Sequence, residues 1–178
     1  MEDTVQNEVR FSEEKLNLVK EIKSRYPDGR QKSALIPILH IAQREFGGWL
    51  SAPVMDYVAS LLDIQPIEVY EVASFYTMFN LKPIGHCMIE FCRTGPCMAL
   101  GVEELIDYTE NKLGIKDGET TPDGKFTIKT VECLGACGYA PMAQIGKFYY
   151  EKLTPEKIDK IIETFGDPES DVFKQYDI

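Results

Sequence analysis

The sequence predicts an α+β protein in which an N-terminal helical bundle is followed by an α/β domain with a mixed sheet. Apolar residues recur at helical spacing through the first 84 residues, and after Gly85 the pattern changes to short strands separated by helices. Four of the five cysteines form two close pairs in the second part. We therefore expect a helical domain over residues 1–84, a second domain over residues 85–166 and an acidic tail over residues 167–178.

Short amphipathic helices are predicted throughout the first domain. Ser12 precedes two glutamates, and a polar cap followed by acidic residues offsets the unpaired N–H groups at a helix start. Helices this short do not persist alone, so each must bury its apolar side against another surface. The four predicted helices begin at or after Ser12, Ser33, Ser51 and Gln65. The aromatic run 75–79 ends the last one, and residues 82–85 read as a linker.

The second domain begins with a strand and ends with a helix. Residues 86–91 and 126–132 are predicted strands, and a helix is predicted to follow Cys97 and to stop at Gly114. Gly146-Lys147 is a two-residue hairpin signal between residues 142–145 and 148–150. Thr154-Pro155 then predicts the start of a final helix. Strand, helix, strand, hairpin and helix is the element order of a thioredoxin-like domain.

The composition excludes several classes of protein. A formal net charge of −10 argues against nucleic-acid binding, which requires a basic surface. No apolar run approaches the roughly 18 residues that span a bilayer, and the acidic start lacks the features of a secretory or organelle leader. We therefore expect a cytoplasmic protein, in which paired cysteines are metal or cluster ligands more often than disulfides.

The two cysteine pairs define the candidate site. Cys92 and Cys97 are separated by four residues, and Cys133 and Cys137 by three. Each pair follows a predicted strand, so the sheet can hold two loops that direct four sulfur atoms at one place. Cys97 is expected at or just before the start of a helix, whose positive end stabilises a thiolate.

The spacing of the cysteines leaves three kinds of site to compare. Structural zinc sites usually contain a two-residue gap in at least one cysteine pair, which neither pair has here. A thioredoxin-type redox disulfide also needs a two-residue gap and leaves the second pair unexplained. A [2Fe–2S] cluster needs four thiolates, two for each iron, which the two pairs supply. The spacing therefore favours a [2Fe–2S] cluster over zinc, and both over a disulfide.

The motifs Cys92-x4-Cys97 and Cys133-Leu-Gly-Ala-Cys137 resemble those of the thioredoxin-like [2Fe–2S] ferredoxin family. Within that family they are similar to those of the small iron–sulfur subunits of NADH–quinone oxidoreductase (respiratory complex I). The resemblance covers about residues 12–165 and extends into the helical domain. It is carried by Cys92-x4-Cys97, Cys133-Leu-Gly-Ala-Cys137, Ala140-Pro141, Leu153-Thr154-Pro155-Glu156-Lys157, Leu39-His40-Ile41-Ala42-Gln43, Gly48-Trp49 and Val72-Ala73-Ser74-Phe75-Tyr76-Thr77-Met78-Phe79.

The resemblance implies a function in electron transfer. Cys92, Cys97, Cys133 and Cys137 would hold one [2Fe–2S] cluster, which exchanges single electrons with the FMN of a partner flavoprotein that binds NADH. The chain would belong to a larger complex on the cytoplasmic face of the inner membrane of a prokaryote. A Gly-rich phosphate motif after a strand is absent from the sequence, so we expect no NADH or FMN site on this chain itself.

Other contexts fit the same motifs. The equivalent subunit of an NAD-linked hydrogenase or formate dehydrogenase shares them, and a zinc-stabilised interaction domain is an alternative of another class. Cys87 is expected to be a buried apolar residue and not a fifth ligand. The stretch containing Tyr76, Met78 and Phe79 is either core or a docking surface for the flavoprotein. Pro141 lies where thioredoxin-like domains often place a cis proline.

Overall fold

The structure, a computed structural model of the chain, describes residues 9–166. The predicted acidic tail, residues 167–178, lies outside the described residues. The chain forms two compact units, Met1–Pro83 and Ile84–Ile178. Among the described residues, no helix has the length and apolar character needed to cross a membrane.

Helices make up the first unit. Ser12 caps its first helix, because its hydroxyl accepts a hydrogen bond from the Lys15 N–H at 3.3 Å. Ser51 is the residue before another helix, as the sequence indicated, but its hydroxyl makes no capping hydrogen bond. The α-helices are α1 (Glu13–Ser24), α2 (Leu35–Glu45), α3 (Ala52–Leu62) and α4 (Pro66–Phe75), and a 3₁₀ turn, Gln31–Ala34, precedes α2.

The core of the first unit is formed by the apolar sides of these four helices. The fully buried side chains include Ile38 and Leu39 of α2, Val58 of α3 and Val69 of α4. Phe79 is also buried, and its ring lies 5.0 Å from that of His40. Phe79 therefore belongs to the core, whereas its neighbours in the same stretch are exposed.

The second unit contains a four-stranded mixed sheet in the order β2-β1-β3-β4. The α+β class and the thioredoxin-like element order predicted from the sequence are confirmed. The strands are β1 (Cys87–Cys92), β2 (Phe126–Val131), β3 (Ala143–Ile145) and β4 (Phe148–Tyr150), and the helices are α5 (Gly95–Ala99), α6 (Val102–Leu113) and α7 (Pro155–Gly166). The β3–β4 hairpin turns at Gly146-Lys147, where Gly146 has a φ of +57°.

One core joins the sheet to helices α6 and α7. Ile89 and Phe91 of β1 are fully buried with Val102 of α6 and Ile158 of α7. The two helices are also joined at their surface, because the Tyr108 hydroxyl donates to a carboxylate oxygen of Asp159 at 2.7 Å and Lys112 pairs with the same oxygen. This core holds the sheet whose strand ends carry the cysteines.

The parallel pair of strands decides where the cysteines lie. β1 and β2 run parallel in a register that places Cys87 opposite Phe126 and Cys92 opposite Val131. The carboxyl ends of two adjacent parallel strands meet at one edge of a sheet. The loop that follows Cys92 and the loop that follows Val131 therefore leave the sheet side by side.

Candidate functional site

The first cysteine pair is buried at the end of β1. Cys92 is the last residue of that strand, and Cys97 lies in the five-residue helix α5. The sequence predicted that Cys97 would lie at or just before the start of the helix that stops at Gly114. That helix, α6, does stop at Gly114 but starts only at Val102, after Gly101 adopts a φ of +86°, so the predicted position of Cys97 is wrong. The positive end of a long helix dipole is therefore not what faces the Cys97 sulfur.

Hydrogen-bond donors surround the buried pair. Burial acts to raise the pKa of the Cys92 thiol, but hydrogen bonds from the Thr94 hydroxyl and the Leu134 backbone N–H leave that pKa below its usual value. The sulfur of Cys92 and the Thr94 hydroxyl oxygen are 3.4 Å apart. Donors that favour a thiolate are what a cluster ligand requires.

The Cys97 thiol differs from its neighbour. Burial, and next the adjacent Cys92 thiol, raise the pKa of Cys97 to about 11, although the Met142 backbone N–H acts in the opposite direction. The charge of Cys137 also raises this pKa, so the second pair comes within electrostatic reach of the first. Cys92 and Cys137 thus both act on the Cys97 thiol.

The second cysteine pair lies at the surface. Cys133 and Cys137 are exposed, on the loop that follows β2 and runs into a 3₁₀ turn, Cys137–Tyr139. The Gly135 N–H donates to the Cys133 sulfur at 3.3 Å, and Gly135 has a φ of +75°, which other residues adopt only with strain. In residues 9–166, no three His, Cys, Asp or Glu side chains are gathered as they would be around a single metal ion.

The fifth cysteine lies at the opposite end of β1 from the first cysteine loop. Cys87 is at the start of β1 with no exposed surface, and burial raises the pKa of its thiol to about 12. It is a buried, neutral residue, as predicted. His40 belongs to the helical unit, where burial lowers its pKa. Pro141 follows the second pair, and the Ala140–Pro141 bond is cis.

Several groups at the site were not identified from the sequence. Thr94, the backbone N–H groups of Leu134 and Met142, and the Tyr149 hydroxyl all contact the cysteine loops. Backbone donors have no side-chain signature. The aromatic run of β4, Phe148-Tyr149-Tyr150, did contain a clue. Successive residues of a strand point to opposite faces, so Tyr149 must lie on the other face of the sheet from its two neighbours.

The chain belongs to the thioredoxin-like [2Fe–2S] ferredoxin family, whose model matches residues 19–166. It is similar to the E subunit of the NADH-quinone oxidoreductase of Rickettsia bellii, with 48% identity over 153 residues that cover 86% of this chain and 92% of the relative. It is also similar to NADH dehydrogenase [ubiquinone] flavoprotein 2, mitochondrial, of Dictyostelium discoideum, with 51% identity over 81% of this chain and 58% of the relative.

A solved structure supports the fold assignment. The NAD+-reducing [NiFe]-hydrogenase in its air-oxidised state matches with a TM-score of 0.66 and 25% identity. The match covers 74% of this chain and 22% of the hydrogenase chain, so the similarity extends over about a fifth of that larger protein. The match confirms that a chain of a redox enzyme shares this fold.

Proposed function

We propose that this protein transfers single electrons through one [2Fe–2S] cluster held by Cys92, Cys97, Cys133 and Cys137. The observation that carries the proposal is the placement of two cysteine pairs on neighbouring loops at the carboxyl ends of two parallel strands. All four thiols are free of disulfide bonds. When bound, a cluster of this kind takes up and returns one electron at a time.

The donor set fits such a cluster. Iron–sulfur clusters are held by cysteine thiolates, and hydrogen bonds to sulfur help to set their potentials. Thr94 and Leu134 supply donors at Cys92, Met142 at Cys97 and Gly135 at Cys133. These groups stabilise negative charge on the sulfur atoms. The chain's own residues would thus bind the cluster and hold its charge.

We further propose that the partner is an FMN- and NADH-binding flavoprotein in the NADH-oxidising module of NADH–quinone oxidoreductase. The names of the relatives support this context, and the hydrogenase match supports an NAD-linked hydrogenase as the second candidate. NADH oxidation would take place on the flavoprotein, because we expect this chain to have no NADH or FMN site. The complex would lie at the cytoplasmic face of the membrane.

The surface beside the cysteines suits contact with another protein. Met98 and Leu100 follow Cys97 in sequence and are 50% and 58% exposed, and Tyr139 follows Cys137 and is 51% exposed. Exposed apolar side chains on a loop that carries ligands favour a contact that excludes water. Electron exchange would then occur where Cys133 and Cys137 reach the surface.

A second apolar surface lies on the helical unit. Phe75 is 76% exposed at the end of α4, and Tyr76, Met78 and Leu81 are also exposed beyond it. We propose that these four residues form the docking surface for the flavoprotein, since aromatic residues and Met are enriched in interfaces. Phe79, which the sequence grouped with them, is buried and takes no part.

The test is the metal content and colour of the full-length protein purified without oxygen. We expect a red-brown solution with about two irons and two acid-labile sulfides per chain, and a rhombic electron paramagnetic resonance (EPR) signal after reduction. A colourless protein with one zinc per chain would overturn the proposal and support the zinc-stabilised interaction domain. NADH should bleach the cluster absorbance only when the flavoprotein is present; bleaching by NADH alone would contradict the absence of a nucleotide site.

A further inference from the structure

The Tyr149 side chain reaches across the hairpin to the second cysteine loop. Tyr149 lies in β4, where it pairs with Gln144, and its side chain is 47% exposed. Its hydroxyl donates a hydrogen bond to the Leu134 carbonyl oxygen at 2.8 Å. Leu134 directly follows Cys133, so this bond joins the rigid hairpin to the loop that carries two of the four cysteines.

The accepting carbonyl belongs to the same peptide unit as a donor to sulfur. The Leu134 C=O and the Gly135 N–H are the two ends of one planar peptide group. The Gly135 N–H donates to the Cys133 sulfur at 3.3 Å. Because the carbonyl and the N–H of a trans peptide point in opposite directions, the hydroxyl that fixes the carbonyl also fixes the direction of the N–H.

This peptide needs such a restraint. Gly135 has a φ of +75° and lacks a Cβ, so its backbone can rotate between conformations at little cost. An alanine at this position would be strained, although its Cβ would meet no atom within 4 Å. No protein atom therefore packs against this side of Gly135, and the Tyr149 hydroxyl supplies a specific hydrogen bond that restrains the peptide.

We propose that Tyr149 is a positioning residue that raises the reduction potential of the cluster by fixing the Leu134–Gly135 peptide. The inference rests on the proposed function, with Cys133 as a cluster ligand. An N–H donated to a ligand sulfur stabilises the reduced form more than the oxidised form, because the reduced form carries one more negative charge. The bond from Tyr149 also polarises the peptide and makes its N–H a stronger donor.

The direct test is Tyr149→Phe, which removes the hydroxyl and keeps the aromatic ring. In full-length, cluster-loaded protein, we expect Tyr149→Phe to move the midpoint potential to more negative values. The ratio of reduced to oxidised cluster at a fixed applied potential should fall about threefold, which corresponds to about 30 mV for a one-electron couple. The potential is measured by redox titration followed by EPR, and the Fe–S stretching bands by resonance Raman spectroscopy.

The matched control is Tyr70→Phe. Tyr70 lies in α4 of the helical unit, and its hydroxyl donates to an Asp56 carboxylate oxygen at 2.6 Å, so the variant also removes one tyrosine hydrogen bond. This variant should leave the potential unchanged. A merely structural role for Tyr149 would lower the unfolding temperature without moving the potential, so an unchanged potential in Tyr149→Phe overturns the inference.

A second measurement covers the case in which Tyr149→Phe fails to fold or to retain a cluster. Replacement of Tyr149 by 3-fluorotyrosine keeps the ring and strengthens the hydroxyl as a donor, so the potential should move to more positive values. A shift in the other direction, or none, overturns the inference. Wild-type protein that binds zinc and no iron overturns the proposed function itself, whereas a loaded wild type with an insensitive Tyr149 overturns only the inference.

Discussion

The Gln43 side chain clamps the backbone that leads into Asn80 with both ends of its amide group. Its oxygen accepts a hydrogen bond from the Asn80 N–H at 2.7 Å, and its nitrogen donates to the Met78 carbonyl at 3.1 Å. Asn80 in turn donates from its own side-chain amide to the Gly48 carbonyl at 3.0 Å. The segment that presents the proposed docking surface is therefore fixed to the end of α2.

Removal of this clamp should destabilise the helical unit. Gln43→Ala leaves the N–H of the buried Asn80 without its acceptor, and we expect the free energy of unfolding to fall by about 1–2 kcal/mol. The single tryptophan, Trp49, lies in this unit and reports its unfolding in urea by fluorescence. Gln31→Ala, in the preceding 3₁₀ turn, is the control and should change the midpoint little. Equal effects of the two variants would contradict the importance of the clamp.

The ligand assignment predicts opposite results at two cysteines. Cys133→Ser should lose the cluster or bind it weakly, because one of four thiolates is replaced by a poorer ligand. Cys87→Ala should retain full iron and sulfide, since Cys87 is buried at the start of β1 and its thiol is neutral. Iron, sulfide and visible absorbance per chain provide the measurement. Equal losses in both variants would show that the ligands have been misassigned.

The docking surface predicts an effect at Phe75. Phe75→Ala removes a ring that is mostly exposed, so the fold should be preserved while affinity for the flavoprotein falls about tenfold or more. Binding of the full-length protein to the purified flavoprotein is measured by calorimetry. Phe148→Ala, an exposed aromatic in the second unit, is the control. A larger loss with Phe148→Ala would move the interface to the thioredoxin-like unit.

Glu110 predicts a dependence of stability on pH. Its carboxylate accepts hydrogen bonds from the Lys116 ammonium at 2.7 Å and the Asp117 N–H at 2.9 Å, and these lower its pKa. A lowered folded-state pKa stabilises the protein above the unfolded value of about 4.3, and this contribution is lost as the pH falls through the folded value. Glu110→Gln should therefore cost about 1 kcal/mol near neutral pH and progressively less below about pH 4.

The control for Glu110 is on the same helix. Asp107→Asn removes one negative charge from an exposed position in the middle of α6 and should have little effect on stability. Calorimetric unfolding of both variants across acidic and neutral pH separates the specific contacts of Glu110 from the general loss of one negative charge. A pH-independent difference between the two would contradict the linkage.

Much of the fold was predictable because local signals decide it. Thr154-Pro155 starts α7, Gly146-Lys147 makes the hairpin turn, and the strand that ends at Cys92 was found within one residue at each end. The extra helix α5 was missed because Gly101, with its positive φ, separates it from α6. From the sequence alone, a glycine within a helical pattern does not show whether the helix is interrupted there.

The environment of the site was less predictable because it depends on long-range contacts. The cysteine pairs were visible in the sequence, but the Tyr149 hydroxyl meets Leu134 across 15 residues, and the Met142 N–H meets Cys97 from another part of the sheet. Such contacts form only once the loop and the hairpin are folded against each other. Spacing can identify candidate ligands, whereas the donors around them depend on tertiary structure.

The parallel β1–β2 pair gives the second unit two ends with different uses. Both cysteine loops leave from the carboxyl ends, while the exposed residues Pro122, Asp123 and Gly124 precede β2 at the opposite end. Six residues of strand separate the two ends by about 20 Å. A fluorophore or surface tether attached at residue 123 would therefore be held at the end of the sheet opposite the cysteines, so that the attachment itself would not cover the cysteine loops.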